Sequence, residues 1–543
     1  MIKITTRWIL IILVFLNIVT GMLKMDEVPP GISHDELEYI NNGYSIFKTG
    51  RDLYGDFLPL SVGGVGYVAI PAYIAGATTA LFGLSEWSAR LFPAVSGIIE
   101  MFIIYWITKE LFKSEKIALS AALILTLSTW GLKISRVMLD SGTALFFFLF
   151  GIWLFIKAKK IRDFIVAWIV LFLGTLSYYG SLFVLPLLVL ILIIYRWNYI
   201  KKYKKPFFLG SGIVLFIFGL ILLFMLFHPG ENSRSLGRSS EIIFFQEKNI
   251  TDNVIYDRST SVGPEIVDKI FINKLTYLWR SFFFNYLEAF SPRMIFVEGD
   301  PNVNYGLWGR GELAILDFPL LILGLFYLFK KSKKGLFFVG SIILISPLTS
   351  GLTGTVYATR AFLMWPFLII VIGGGLAKLF EWSGFVKGLN WKAVLFLIFF
   401  SFYIFFFFSK LYQYFYRYPT YASEAWFDSE KQLAGYLIEH SGEKIDIYSL
   451  EGRQMFMEYF FFSKMDPKIA QAALDKKNIK APIQAGNFKF VNGCFDWEKY
   501  QPKNKTIINT HCIPLDLTFA SETITSRDGS NQIKWAIFLP QSE

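Results

Sequence analysis

The sequence predicts an all-α polytopic membrane protein with a small α/β domain at its C-terminus. Three observations predict it. Apolar stretches long enough to cross a bilayer recur from residue 8 to residue 412, short basic runs separate them, and the last stretch of about 130 residues turns polar with mixed helix-like and strand-like patterns. Of the 543 residues, 54% are hydrophobic and 18% aromatic, and only 17% are charged. A soluble domain carries about 25% charged residues. The net charge of +11 resides mainly in those short runs between apolar segments, which fits membrane topology rather than nucleic-acid binding.

A spanning helix needs about 20 mainly apolar residues. Roughly eleven stretches qualify, near residues 8–23, 88–109, 117–133, 138–156, 163–179, 182–196, 207–228, 313–329, 335–351, 361–380 and 393–412. The first lacks a small-residue cleavage site, which identifies it as a retained anchor rather than a signal peptide. The connections "MIKITTR", "KELFKSEK", "KAKKIR", "RWNYIKKYKK", "KKSKK" and "KLFEWSGFVKGLNWK" are basic and alternate with less basic ones. That alternation predicts a cytoplasmic N-terminus. It assigns residues 24–87, residues 229–312 and everything after 412 to the outer face.

The division is therefore a membrane domain over 1–412 and a soluble outer domain over 413–543. Within the outer loops, "YGDFLPLSVGGVGYVAIPAYIAGATTALFG" is apolar enough to lie on or dip into the membrane. The segment "PEIVDKIFINKLTYLWRSFFFNYLEAF" has the periodicity of an interfacial amphipathic helix. In the C-terminal part, "KIDIYSL", "KTIINT" and "KWAIFLP" read as strands. Both cysteines, Cys494 and Cys512, lie there and are either one disulfide or two free thiols.

Charged residues gather at one boundary of this topology. Asp35 and Glu36 follow the first span, Arg90 opens the second, and Lys133, Arg136 and Asp140 surround the turn before the fourth. Arg360 precedes the tenth. Ionisable groups at such depth mark functional sites by default. For each arginine the alternative is snorkelling to headgroups. For Asp35 and Glu36 it is a solvated loop capping a helix that begins near Leu37. His34, Asp35 and Glu36 together offer ligands for a divalent ion, although consecutive side chains diverge. There is no P-loop, paired-histidine zinc helix or serine elbow.

The segments "PGISHDELEYINNGYSIFKTGRDLYGDFLPL", "LFGLSEWSARLFPAVSG" and "SRVMLDSG" resemble the N-terminal third of C-type polyprenyl-phosphate-sugar-dependent membrane glycosyltransferases. That group includes protein O-mannosyltransferases and the lipid A aminoarabinose transferase. The resemblance is densest over 27–145 and thins to "FSPRMIFVEGDPN" and "YATRAFLMWPFL".

It implies the C-type fold and Asp35 as the base that deprotonates the acceptor, with Glu36 beside it. It also implies Arg90, Lys133, Arg136, Asp140, Tyr357 and Arg360 as donor-phosphate or acceptor contacts. The implied partners are a polyprenyl-phosphate-linked sugar, membrane lipids and an acceptor hydroxyl of a protein, glycan or lipid, on the outer face of the plasma membrane. No nucleic acid is implied and no cofactor is certain. Arginine suits a phosphate leaving group, because its planar fork holds two oxygens and stays charged. One carboxylate acting in a single displacement gives inversion. A transporter or flippase of lipid-linked sugars, or an inactive scaffold of the same fold, are the competing expectations.

Overall fold

The computed structural model describes residues 2–64, 66–227, 247–384, 390–474, 478, 480–496, 502–512 and 520–540. The polar stretch expected from 229 begins outside them, as do parts of the connection 378–392 and of the C-terminal part. Six of the described helices are long and apolar enough to cross a membrane: Glu86–Phe112, Asp140–Lys157, Ser181–Lys202, Lys333–Thr353, Met364–Ser383 and Trp391–Tyr421. The other expected spans coincide with helices that are shorter or only partly described. They include α1 (Ile2–Met22), α8 (Ile161–Thr175) and α10 (Lys204–Phe227). The expected span 117–133 is divided into α5 (Glu115–Leu127) and α6 (Thr129–Ile134). At the break, Ser128 Oγ accepts from Gly131 N at 2.9 Å and starts a new helix.

The chain forms two compact units. The first holds Met1–Gly21, Val95–Ser135 and Asp140–Lys410. It is built from apolar helices that approach through small residues, as bilayer helices do when dispersion rather than water drives their packing. The run "IGGGLA" shows why. A Cβ on Gly375 would come 1.9 Å from the Leu320 carbonyl oxygen, and one on Gly373 would come 2.6 Å from Ala121 N. The helix Met364–Ser383 therefore lies backbone-close to both Asp317–Lys331 and α5. The expected amphipathic helix is two pieces, Glu265–Phe271 and Lys274–Glu288. Asn273 Oδ1 caps the second by accepting from Leu275 N and Thr276 N. Leu275, Trp279, Phe283, Phe284 and Leu287 are exposed on it, the apolar face expected of an interfacial helix.

The second unit holds Met22–Ala94, Arg136–Leu139 and Leu411–Glu543. Its N-terminal part contains α2 (His34–Thr49), the short pair β1 (Ser61–Val62) and β2 (Tyr67–Val68), and α3 (Ala69–Phe82). The helices α2 and α3 cross at Gly43, where a Cβ would come 2.0 Å from the Ala72 carbonyl oxygen.

The C-terminal part supplies a six-stranded sheet from β3 (Ile445–Ser449), β4 (Ile483–Ala485), β5 (Phe488–Asn492), β6 (Lys505–Asn509), β7 (Glu522–Thr525) and β8 (Ile533–Phe538). The strand order is β4-β5-β3-β6-β8-β7. Strand β3 runs parallel to both neighbours, with Ile447 opposite Phe490 and Ile507. The three strand-like runs of the sequence are β3, β6 and β8. Cys494 and Cys512 are joined as a disulfide. One core contains Leu433, Ile447, Phe460 and Phe490 together with Ile32, Leu37, Ile40 and Leu53, so the acidic segment folds as part of the sheet-bearing unit.

Candidate functional site

The acidic motif begins at a helix start. Ser33 is the N-cap of α2, with Oγ accepting from Glu36 N at 3.4 Å. The helix thus opens at His34, three residues before the expected start, and Asp35 lies in its first turn instead of capping it. The amino end of a helix carries positive partial charge and favours carboxylates there. Asp35 is half-buried, His34 exposed and Glu36 fully buried.

Glu36 and Arg90 form a bidentate pair at 3.0 Å for both Nε–Oε1 and Nη2–Oε2. Glu36 Oε1 also accepts from Met138 N at 3.0 Å. The rest of the guanidinium donates to the carbonyls of Met25, Pro29 and Gly31. Arg90 therefore spends every N–H inside the fold and holds the segment leading into α2. Arg136 does similar work, donating to the carbonyls of Leu23, Lys24 and Val28. It packs over the rings of Tyr414 and Phe415 at 5.4 and 5.0 Å. Buried charges need such partners, since desolvating each one costs several kcal/mol, on the order of the pair's attraction.

The polar face of α2, which looks like enzyme surface in the sequence, is interior. Glu38 pairs with Arg453 at 2.6 Å, Asn42 Nδ2 donates to Glu38 Oε2 at 2.9 Å, and Asn41 Nδ2 donates to the Met457 carbonyl at 3.0 Å. His34 Nδ1 shares a hydrogen bond with Gln454 Oε1. With Glu36 given over to Arg90 and His34 directed to Gln454, the trio His34, Asp35 and Glu36 does not converge on one centre. Among the described residues no three His, Cys, Asp or Glu side chains are placed to hold a metal ion.

The remaining candidates lie in the first unit. Lys133 pairs with Glu312 at 2.8 Å, both buried. Glu312 Oε1 also accepts from Asp300 N at 3.2 Å. Asp300 in turn accepts from Asn302 N at 2.8 Å and from Ala358 N, which fixes the "YATRAF" segment. Tyr357 and Arg360 flank that anchor, with the guanidinium 5.0 Å from the Tyr357 ring centre. Arg360 Nη1 donates to Thr353 and Thr355. Among the described residues, its Nε and Nη2 make no hydrogen bond and the side chain is half-buried. Asp140 accepts from Ser141 N at 2.6 Å, and Tyr178 is within electrostatic reach of both Asp140 and Arg360.

Glu312, Asp300, Tyr178 and Arg453 are the residues sequence reasoning missed. "FVEGDPN" was the one available signal, for Asp300.

Burial raises the Asp300 carboxyl from 3.8 to about 7, and Glu312 adds to the shift while Lys133 opposes it. The folded state then holds a proton that the unfolded chain releases. Stability from this group is full below about pH 4 and is lost as the pH rises through about 7. Thermal unfolding of the purified protein from pH 4 to 8 should show that fall, and Asp300→Asn should flatten it.

Part of the sequence, and the fold as a whole, are similar to those of known proteins. A family model described as dolichyl-phosphate-mannose-protein mannosyltransferase matches residues 69–224. ArnT from Cupriavidus metallidurans bound to undecaprenyl phosphate aligns over 99% of this chain and 100% of its own, with a TM-score of 0.58 at 12% identity. Its apo state gives 0.55 at 11%. The oligosaccharyltransferase AglB from Archaeoglobus fulgidus, in complex with an inhibitory peptide and a dolichol-phosphate, gives 0.50 at 13% identity. That alignment covers 84% of this chain and 64% of AglB, so the chain spans less than two thirds of that protein's length. No curated protein matches the chain. The resemblance seen in the N-terminal third thus extends to the fold.

Proposed function

We propose that the chain is an inverting glycosyltransferase that moves a sugar from a polyprenyl-phosphate carrier to an acceptor hydroxyl at the outer face of the membrane. The observation that carries this reading is the placement of Asp35. It stands half-buried on the first turn of a helix whose entry is clamped by two buried arginines. Preorganisation of that kind is what a base needs to be aligned with its proton.

In the reaction, the acceptor oxygen forms a bond to the anomeric carbon and gives its proton to the Asp35 carboxylate. The anomeric carbon–oxygen bond to phosphate breaks, and its electron pair leaves with the polyprenyl phosphate. A phosphate leaving group needs positive charge rather than a proton. Arg360 is the candidate that keeps donors to supply it, because its Nε and Nη2 make no hydrogen bond among the described residues while Arg90, Arg136 and Lys133 are committed to internal partners. Arg360→Ala should raise the KM for donor about tenfold or more, the loss of a charge-assisted hydrogen bond, without lowering thermal stability.

The Cys494–Cys512 disulfide supports an oxidising, extracytoplasmic location for the sheet. No step is assigned to a cofactor. The reading is tested by nuclear magnetic resonance of the product formed from a donor of known anomeric configuration. Inversion is expected, and retention would replace the single displacement with a two-step route.

A further inference from the structure

The second unit contains a cleft of about 560 Å³, lined in part by His34, Glu38, Phe427, Arg453, Gln454 and Asn492. This is within the range of about 300–1,000 Å³ typical of ligand sites. It opens at the carboxyl ends of the parallel strands β3 and β5, where the chain leaves Ser449 and Asn492. Open α/β sheets bind ligands at that end. The turn there is built from side chains: Ser449 Oγ accepts from Glu451 N at 3.1 Å, and Asn492 Oδ1 accepts from Arg453 N at 2.9 Å.

Phe427 is a second, independent sign. It lies in the cleft with φ 57° and ψ 38°, the left-handed region that a bulky residue rarely occupies. Such strain collects at ligand clamps. The backbone is held there by the acidic motif itself, since a Cβ on Gly31 would come 2.1 Å from the Trp426 carbonyl oxygen. A glycine would suit position 427 better if the ring had no task.

The chemistry of the lining is specific. The Glu38–Arg453 pair and the Gln454 and Asn492 amides offer donors and acceptors in fixed directions with little net charge. Phe427 adds an aromatic ring. Fixed polar groups beside an aromatic surface fit the alternating hydroxyl and C–H faces of a sugar. Glu451 and Lys480 add one charge of each sign to the lining, so it carries no surplus of cations to select an anion and is too polar for an apolar lipid tail. His34 is in the lining, and Asp35, not itself in the lining, stands in the same first turn of α2.

We propose that this cleft holds the acceptor of the transfer reaction and that the acceptor is a saccharide. The inference rests on the transferase reading. The sugar hydroxyl bound here loses its proton to Asp35 as its oxygen takes the transferred residue from the departing lipid phosphate.

The test is binding of mannotetraose, cellotetraose, chitotetraose and a serine-rich peptide to the full-length protein in lipid nanodiscs, measured by calorimetry. At least one oligosaccharide should bind saturably. Phe427→Gly, which relieves the backbone, should weaken that binding tenfold or more with thermal stability kept or raised, while Phe427→Tyr retains it. Asp35→Asn should leave saccharide binding intact while stopping release of polyprenyl phosphate from donor. Peptide binding without oligosaccharide binding would overturn the proposal, as would equal affinity in Phe427→Gly. Because donor turnover is read separately, failure of the transferase reading would show as absent phosphate release with saccharide binding intact.

Discussion

Replacing Asp35 with asparagine should lower sugar transfer at least a hundredfold while leaving expression and thermal stability close to those of the wild type. A positioned general base contributes typically about 10²–10⁴ in rate, and asparagine keeps the shape of the side chain while losing its capacity to take a proton. Little stability is at stake, because Asp35 is half-buried on the first turn of α2 and the cap is made by Ser33. The split between rate and stability is the informative part. A residue that only supported the helix would change melting temperature and rate together. The check is initial-rate transfer alongside differential scanning of the same preparations.

Arg90→Ala should have the opposite signature, a loss of folded protein rather than a selective loss of rate. The substitution leaves Glu36, which is fully buried, without its bidentate partner and frees the carbonyls of Met25, Pro29 and Gly31. Breaking a buried pair from one side costs about 3–5 kcal/mol, a large part of a protein's net stability. Arg90→Lys keeps the charge but not the five-bond geometry and should rescue little. Simultaneous replacement of Glu36 and Arg90 by leucine and methionine should recover only the part of the loss due to the uncompensated Glu36 charge, because the carbonyls of Met25, Pro29 and Gly31 and the Met138 N–H stay without partners. An arginine that bound donor phosphate would instead raise donor KM in a well-folded protein. Yield of monodisperse protein and melting temperature separate the two.

The helical, membrane-spanning class was legible because it depends on local composition. Hydropathy and basic runs are properties of short windows, and Met364–Ser383 or Trp391–Tyr421 follow from them. So was the strand character of β3, β6 and β8. The start of α2 was partly legible: a helix was expected from near Leu37, and it opens three residues earlier, at His34, with Ser33 rather than Asp35 as its cap.

What stayed hidden depends on partners far along the chain. The polar face of α2 resembles a surface because Glu38 and Asn41 look solvated until Arg453 and Met457, more than 400 residues later, are brought against them. Lys133 resembles a phosphate ligand until Glu312, 179 residues away, neutralises it. Arg90 and Arg136 were identifiable as buried-boundary cations, but their work on the carbonyls of residues 23–31 is invisible without a backbone. Asp35 itself was singled out through resemblance, since nothing in its own neighbourhood separates a base from a helix-start carboxylate.

The most direct test of the central claim is donor use by the purified protein in nanodiscs. Radiolabelled sugars would be offered on polyprenyl phosphates and, in parallel, on nucleotides, with released polyprenyl phosphate and glycosylated acceptor counted together. Transfer from at least one polyprenyl-phosphate sugar, with one carrier released per sugar transferred and none from nucleotide donors, is the predicted result. Transfer from nucleotide sugars alone, or movement of intact lipid-linked sugar across the bilayer without release of carrier, would contradict it.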